Sequence, residues 1–347
     1  MKDILITGGC GFVGSNLAIF LKKKNYKVSS LDNLSRKGSR LNLKRLNNYK
    51  IKNYQLDISN NSILKLRKFD LIIDCCAEPS VLASIKSTKE AERVFKSNLL
   101  GTFYTCQKCL LDKSNIIFIS TSRVYSMKLI NKKFFKSVKN KNIKKKLKHE
   151  HSFNETFDTN SPRSLYGWTK LSSEELIKEY SYSNNLKYII NRCGVIAGPW
   201  QFGKVDQGFM SLWSWKFINK IPVKYIGFGG YGHQVRDILH IDDFCELVLK
   251  QIKKFNKNNN QTFVVGGGKK NSISLKDLTK LMVHKTGYKI KVLNFSKTSL
   301  YDVPYFISNI IKVSKLYKWK PVKTINKIVD DIMNWQTKEK IKLKKYF

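Results

Sequence analysis

Long apolar runs are missing from this chain of 347 residues, and their absence excludes a class of protein. The longest apolar stretches have the length of a strand, whereas a membrane-spanning helix needs about 20 apolar residues. Residues 1–3 lead directly into an apolar strand, so we expect no secretory signal peptide. The sequence also lacks internal repeats and low-complexity linkers. These absences predict a globular protein with no membrane span.

Acidic residues are scarce, since 25 Asp and Glu stand against 65 Lys and Arg, for a net charge of +40. Such an excess is typical of proteins that bind nucleic acid or a membrane surface. The lysines occur along nearly the whole chain, however, and no nucleic-acid-binding motif accompanies them. We therefore favour solvated surfaces and predict no specific nucleic-acid partner. The densest basic stretch, 132–148, is predicted to be a mobile loop that either attracts a phosphate-bearing ligand or is a solvated flap.

Cysteine is present seven times, and this odd number is typical of a reducing cytoplasm rather than of a disulfide framework. Cys106 and Cys109 form a C-x-x-C pair, but no second pair or histidine cluster completes a zinc site. We predict buried free thiols, no metal site and a cytoplasmic protein.

A glycine-rich turn follows the first apolar strand, residues 4–7, and precedes a helical pattern at 15–24. Gly8 permits a tight turn, Gly11 lets the backbone approach a pyrophosphate, and Gly14 allows close packing of helix on strand. The free N–H groups and the dipole at the start of the helix favour phosphate. This order of strand, turn and helix predicts a dinucleotide-binding site.

Asp32 ends the second predicted strand, residues 27–31, and lies 18 residues beyond Gly14. This is close to the spacing of the acidic residue that binds the adenosine ribose in dinucleotide-binding folds. A carboxylate there would repel a 2′-phosphate, so the sequence favours NAD over NADP. Arg36 leaves NADP open as the alternative.

Further apolar strands at 54–57, 71–76 and 116–121 alternate with helical patterns, notably 89–111. Continuous apolar strands of this kind indicate a parallel sheet covered on both faces. We predict an α/β fold: a Rossmann-type doubly wound parallel sheet at 1–190 and a smaller α/β substrate domain at 191–347, with 236–267 returning to the first domain. Because ligands bind where such strands end, the residues following them are expected to meet a dinucleotide or its substrate.

Tyr166 and Lys170 lie one turn apart in a predicted helix at 165–180, so their side chains share one face. A free tyrosine has a pKa near ~10, which is too high for a base at neutral pH. A neighbouring cation favours the phenolate and lowers that pKa. The pair is therefore predicted to form a general base, although the spacing alone is also common on ordinary helix faces.

Together these motifs resemble the extended short-chain dehydrogenase/reductase family, the NAD-dependent sugar-nucleotide epimerases and dehydratases. The resemblance extends almost from end to end and rests on the turn 7–14, Asp32-Asn33, 98–102, 120–125, Tyr166 with Lys170, and 236–243. It implies that Thr121 binds the sugar hydroxyl, Tyr166 removes its proton and Lys170 lowers the tyrosine pKa and binds the nicotinamide ribose. It also implies a nucleotide-sugar substrate and a homo-oligomer.

The resemblance assigns two sets of binding residues. The cofactor set is Gly8, Gly11, Phe12, Val13, Gly14, Asp32, Asn33, Ser35, Arg36, Asp57, Ile58, Ala77, Asn98, Tyr166, Lys170 and Cys193. The substrate set is Thr121, Ser122, Gln201, Gln207, Arg236 and His240. Arg236 is expected on the substrate pyrophosphate, with a salt bridge between domains as the alternative.

Ser122-Arg123 follows Thr121 where the related dehydratases carry an acidic pair that serves water elimination. The absence of that pair favours epimerisation over dehydration. Three stretches, 32–38, 201–208 and 234–240, resemble the subgroup of 2-epimerases that act on CDP-linked sugars. The alternatives are another sugar-nucleotide epimerase, a net dehydrogenase or reductase, and, in a different class, a non-catalytic NAD-sensing protein that binds RNA or a membrane.

Overall fold

A computed structural model describes residues 2–139, 151–203 and 207–347. In this part of the chain, seven parallel strands form a sheet in the order β10-β6-β5-β4-β1-β2-β3. The strands are β1 Asp3–Thr7, β2 Lys27–Leu31, β3 Lys52–Tyr54, β4 Leu71–Asp74, β5 Asn115–Thr121, β6 Tyr188–Cys193 and β10 Gln261–Val265. This confirms the predicted doubly wound parallel sheet.

The sheet is buried because helices cover both of its faces. All four residues of β4 are buried, as are four of the five in β1, which is typical of the inner strands of a parallel sheet. The chain proceeds outward from β1 in both directions, through β2 to β3 and through β4 to β5. The carboxyl ends of β1 and β4 therefore border the crevice in which such folds bind their ligands.

The first group of helices lies between the strands of this sheet in the chain. They are α1 Phe12–Lys23, α2 Ser39–Asn48, α3 Ala83–Lys86, α4 Thr88–Phe95, α5 Gly101–Asp112, α6 Met127–Lys139 and α7 Leu165–Asn184. The predicted helix at 89–111 is divided, since a π-helical turn, Lys96–Leu100, joins α4 to α5. No helix in the described segments combines the length and the hydropathy that crossing a membrane requires.

A smaller unit contains most of the remaining elements. Its strands are β7 Val195–Ala197, β8 Val223–Ile226, β9 Val235–His240, β11 Ser272–Ser274, β12 Val292–Phe295 and β13 Tyr305–Phe306. The helices between residues 209 and 343 are α8 Phe209–Ile218, α9 Ile241–Lys253, α10 Phe255–Asn258, α11 Leu275–Thr286, α12 Ile311–Tyr317, α13 Ile325–Lys338 and α14 Lys340–Leu343. Strand β9 lies at the centre of the smaller sheet, between β11 and β13 and also paired with β7.

The segment 236–267, which the sequence predicts to return to the first domain, is shared between the two units. Strand β10 pairs with β6 at the edge of the large sheet, and α9 contributes Phe244 and Leu247 to the core that contains Ile4. Strand β9 belongs to the smaller sheet instead. The segment thus connects the two sheets.

Helix α6 overlaps the start of the stretch 132–148, which the sequence predicts to be a mobile loop, so residues 132–139 are helical instead. Met127, Ile130 and Phe134 are buried in one apolar cluster, and their spacing places them on one side of a helix. The many lysines of this segment obscured that apolar pattern. Residues 140–150, which include most of the predicted basic loop, lie outside the described residues.

Candidate active site

A cavity of about 1240 Å³ opens at the carboxyl ends of the large sheet and extends to the smaller unit. Its volume exceeds the ~300–1000 Å³ of an ordinary small-molecule pocket, so it has room for a dinucleotide and a second ligand. Of the residues predicted from the sequence, it is lined by Gly8, Gly11, Phe12, Val13, Gly14, Asp32, Asn33, Ser35, Arg36, Asp57, Ile58, Ala77, Thr121, Ser122, Tyr166, Gln201, Gln207 and Arg236.

The three glycines of the first turn have different surroundings. Gly8 has φ +62°, and a Cβ added there would lie 2.9 Å from the carbonyl oxygen of Cys75. A Cβ on Gly14 would lie 2.3 Å from the carbonyl oxygen of Gly8, so only glycine lets the helix pack this closely on the turn. At Gly11 the nearest atom to such a Cβ is the Gly8 carbonyl oxygen at 3.0 Å. The turn is therefore tight on the protein side and accessible at Gly11.

Helix α1 begins at this turn with Gly11 as its N-cap, and no side chain caps it. The first N–H groups of a helix have no acceptor within the helix, and together with the dipole they favour an anion. Phe12 and Val13, the first two residues of α1, line the cavity. The start of α1 thus fits the pyrophosphate of a dinucleotide.

Asp32 follows β2 at the rim of the same turn. Its carboxylate accepts hydrogen bonds from the backbone N–H of Cys10, at 3.0 Å, and of Leu34, at 2.8 Å. Burial raises its pKa, and these two bonds oppose that effect. The two N–H groups hold the carboxylate in place, and a carboxylate with further lone pairs suits ribose hydroxyls.

Arg36 contacts both sides of the cavity. Its Nη2 donates to Oε1 of Gln207 at 3.1 Å, and its Nη1 lies 3.8 Å from a carboxylate oxygen of Glu78. The guanidinium is therefore paired with an amide and a carboxylate, rather than free for a 2′-phosphate. Arg36 belongs to the predicted cofactor set and Gln207 to the predicted substrate set, so their hydrogen bond connects the two sets.

Thr121, Tyr166 and Lys170 come together where β5 ends against α7. Ser164 caps α7 by accepting the N–H of Gly167 at 3.2 Å, which fixes the turn that carries Tyr166. The Thr121 side chain lies close enough to the Tyr166 phenol to favour its ionised form, and both residues line the cavity. The structure therefore brings the predicted hydroxyl pair together at the cavity wall.

Several groups around the phenol act on the pKa of Tyr166, and the expectation that Lys170 lowers it stays a prediction. Burial raises the pKa of Tyr166, while the Thr121 side chain and the charge of Arg123 oppose that rise. The Lys170 ammonium lies against an aromatic ring, with its Nζ 3.7 Å from the centre of the Phe118 ring. The charge of Arg123 and, to a smaller extent, that of Arg36 favour the Tyr166 phenolate.

Lys170 is an unsatisfied group beneath the cavity. The residue is 1% exposed, and its Nζ has no hydrogen-bond partner among the described residues. Burial lowers its pKa. A buried ammonium without acceptors is unfavourable, so ribose hydroxyls of a dinucleotide would satisfy it. With the helix start and Asp32, this orphaned group fits a bound NAD.

Besides Lys170, three predicted binding residues do not line the cavity. Asn98 lies beneath it, where its side chain accepts the Glu78 N–H at 2.8 Å and donates to Thr169 at 3.0 Å. Cys193 is buried at the end of β6, and its neighbour Gly194 lines the cavity instead.

His240 is the third of these residues. It caps α9, since its Nδ1 accepts the Asp242 N–H at 3.0 Å, and it is 1% exposed. Asn98 and Cys193 are supporting residues around the site, whereas His240 has a capping role in the smaller unit.

Other residues of the cavity were not predicted from the sequence. Arg123 lines it two residues beyond Thr121, and the end of β5 was the signal that could have identified it. Tyr301 and Asp302 come from a loop that contains no recognisable motif. These residues belong to the part of the cavity next to the smaller unit.

Comparison with a protein-family model matches residues 4–266 to the NAD dependent epimerase/dehydratase family. The chain is 28% identical over 343 residues to the CDP-paratose 2-epimerase of Salmonella typhi, which covers 96% of this chain and 98% of the relative. It is equally similar, 28% over 354 residues, to the UDP-glucuronate 4-epimerase of Thermodesulfobacterium geofontis, with 99% and 98% covered.

A solved structure has the same fold over nearly the whole chain. It is the UDP-glucuronic acid 4-epimerase of Bacillus cereus in complex with UDP-glucuronic acid and NAD. The TM-score is 0.81 with 24% identity, and the match covers 97% of this chain and 99% of that one.

Proposed function

Because the chain belongs to the NAD dependent epimerase/dehydratase family, its cofactor is NAD, and we propose that it inverts one carbon of a nucleoside-diphosphate sugar. We further propose that the carbon is C2 of a CDP-linked sugar, as in the activity named for the CDP-paratose 2-epimerase relative. The UDP-glucuronate 4-epimerase is equally similar to this chain. Epimerisation at C4 of a UDP-sugar is therefore the second candidate.

The observation that carries this proposal is the group formed by Thr121, Tyr166 and Lys170 at the cavity. In the proposed reaction the Thr121 hydroxyl holds the sugar hydroxyl that is oxidised, and Tyr166 accepts its proton. A bound NAD would supply the redox chemistry, which is reversible hydride exchange with the sugar carbon by way of a keto sugar. Tyr166 then gives the proton back, and no net oxidation remains.

Lys170 has a supporting role in the proposed reaction. Its buried ammonium binds the ribose hydroxyls of the cofactor and places a positive charge beneath the reacting centre. Asp32 binds the second ribose, and the start of α1 binds the pyrophosphate. These contacts keep the cofactor bound between turnovers.

The residues after Thr121 support epimerisation rather than dehydration. Water elimination needs an acid and a base close to the sugar, whereas this chain places Ser122 and Arg123 there. Arg123 is a permanent cation and cannot serve as a proton acceptor. The proposed reaction therefore eliminates no water, and the product has the same atoms as the substrate.

The test is incubation of the purified protein with CDP-, UDP-, GDP- and dTDP-linked sugars, with the products identified by NMR. The expected result is a mixture of two epimers from one substrate and no change in absorbance at the reduced-nicotinamide band. A steady change at that band would indicate a net dehydrogenase or reductase. RNA retention that depends on salt, without turnover of any sugar, would support the non-catalytic alternative.

We also propose that the protein acts in the cytoplasm as a homo-oligomer. Each of its seven cysteines, all in described segments, is a free thiol, which is typical of a reducing compartment. Cell fractionation and sedimentation of the purified protein test these two points.

A further inference from the structure

Two arginines in the substrate part of the cavity are held by one loop, residues 301–303. Nη1 of Arg123 donates to the carbonyl oxygen of Tyr301 at 2.9 Å. Nη2 of Arg236 donates to the carbonyl oxygen of Val303 and lies 3.5 Å from a carboxylate oxygen of Asp302. Arg123 follows β5 of the large sheet, and Arg236 lies in β9 of the smaller one. The loop therefore brings two guanidiniums from different sheets to one place.

Among the described residues, only one of these two guanidiniums forms an ion pair. Burial lowers the pKa of Arg123, while burial, and to a smaller extent Arg123, lowers that of Arg236 to about 10. Asp302 ion-pairs with Arg236 and is 28% exposed, and no carboxylate of the described segments ion-pairs with Arg123. Buried charges need partners of opposite sign, so an anionic ligand would stabilise this pair.

The position of Arg123 indicates which anion it would meet. It follows Thr121 by two residues, its backbone N–H donates to the Thr121 hydroxyl oxygen at 3.2 Å, and its charge acts on the Tyr166 phenol. Since Thr121 and Tyr166 are the proposed partners of the reacting sugar, the phosphate nearest Arg123 is the one that carries the sugar. We propose that Arg123 forms a two-arginine clamp with Arg236 and binds the β-phosphate of the nucleoside diphosphate. This inference rests on the proposed function.

Arginine has the chemistry that this role needs. Its planar fork gives two parallel charge-assisted hydrogen bonds to a phosphate, which a lysine ammonium does not reproduce. One Nη of Arg123 is already bound to the loop at Tyr301, so the loop fixes the direction of the fork. A preset donor of this kind binds its ligand without first having to be ordered.

The experiment measures binding of CDP, UDP, CMP and UMP to the full-length, NAD-loaded protein by calorimetry. Replacement of Arg123→Gln is expected to raise the Kd of both diphosphates roughly 10–100-fold, the scale of a lost charged hydrogen bond. The monophosphates lack the β-phosphate, so their Kd values should change no more than about twofold, as for a distant screened charge. Arg123→Lys keeps the charge but loses the fork and should give an intermediate loss for the diphosphates.

Arg163→Gln is the matched control. Arg163 is also a half-buried arginine, its Nη2 donates to the carbonyl oxygen of Ser161 at 2.7 Å, and it packs, like Arg123, beside Gly167. It does not line the cavity. Its replacement should leave all four Kd values unchanged, and melting temperature and NAD binding show for each variant whether the fold is intact.

Two results overturn the clamp. One is a wild-type protein that binds the diphosphates no more tightly than the monophosphates. The other is an Arg123→Gln or Arg123→Lys variant that is folded and either keeps diphosphate affinity or loses both ligand classes equally. Failure of the proposed function can be distinguished from failure of the clamp. If the test with nucleotide sugars yields no epimers, the binding measurements still show whether diphosphate affinity depends on Arg123.

Discussion

The cofactor part and the substrate part of the cavity are built in different ways. The proposed contacts to the pyrophosphate and to the adenosine ribose, from Gly8 to Asp32, lie within 25 consecutive residues and use backbone N–H groups and one carboxylate. The substrate part takes Arg123, Arg236 and the loop 301–303 from distant parts of the chain, and Arg123 and Tyr301 are 178 positions apart. A phosphate site made by backbone can be specified locally, whereas one made by side-chain charge requires the complete tertiary fold.

Tyr166 lies where the two parts meet, and its replacement is expected to have the largest effect. Tyr166→Phe removes only the hydroxyl, so the fold and NAD binding should remain. Turnover should fall by roughly 10²–10⁴, the usual contribution of acid–base catalysis. The measurement is the rate of epimer formation by NMR on the substrate that the panel identifies. Near-normal turnover would remove Tyr166 from the mechanism.

Arg236→Lys tests the substrate part alone. The change keeps the charge but removes the planar fork, so sugar-nucleotide binding should weaken by about 1–3 kcal/mol, the scale of a charged hydrogen bond. Calorimetry with the substrate and with NAD measures both affinities, and NAD affinity should not change. If melting temperature falls while substrate affinity is kept, the contacts of Arg236 to Asp302 and Val303 are structural only.

Asp32→Asn tests the cofactor part alone and should have a smaller effect. The wild type should bind NAD more tightly than NADP, because the carboxylate repels a 2′-phosphate. The variant should bind NAD roughly tenfold less tightly, equal to about 1.4 kcal/mol, and its preference over NADP should decrease. Fluorescence titration with both cofactors measures this.

Asp70→Asn is the control for that change. The Asp70 carboxylate accepts the Asp3 N–H at 2.7 Å, and Asp70 does not line the cavity. Its cofactor affinities should equal those of the wild type. Equal affinity of the wild type for NAD and NADP would show that Arg36 governs the ribose site.

Several lysines between 132 and 148 should give the smallest effect when they are replaced by glutamine. Exposed charges are screened beyond roughly 8 Å at physiological salt, so substrate affinity should change less than about twofold. Calorimetry measures the substrate affinity of these lysine variants and of Arg236→Lys under the same conditions. A large loss in the lysine variants, with none in Arg236→Lys, would place the nucleotide sugar at the basic segment instead.

The parts of the structure that could be predicted are those encoded by neighbouring residues. The bounds of β2 are as predicted, and the turn Gly8 to Gly14 has the expected strand and helix on either side. Short-range patterns sufficed here, because each of these elements is defined by residues close in sequence. The same holds for the turn that places Tyr166 and Lys170 on α7.

The parts that could not be predicted depend on long-range contacts or on competing roles of one residue type. No local pattern pairs Arg123 with Tyr301. His240 has the chemistry of a substrate ligand and also that of a helix cap, and only the structure shows that its Nδ1 accepts the Asp242 N–H. The distance of the Lys170 ammonium from Phe118 likewise follows from packing between α7 and β5.

Loop 301–303 binds both Arg123 and Arg236, and this has a consequence for the order of events during translation. The strands that carry the cofactor part, up to Thr121 at the end of β5, leave the ribosome before the loop is made. About 180 residues separate Thr121 from that loop, which corresponds to roughly 10–40 s of synthesis at ~5–20 residues per second. During that interval a nascent chain would hold the elements of its cofactor part while Arg123 still lacks its anchor.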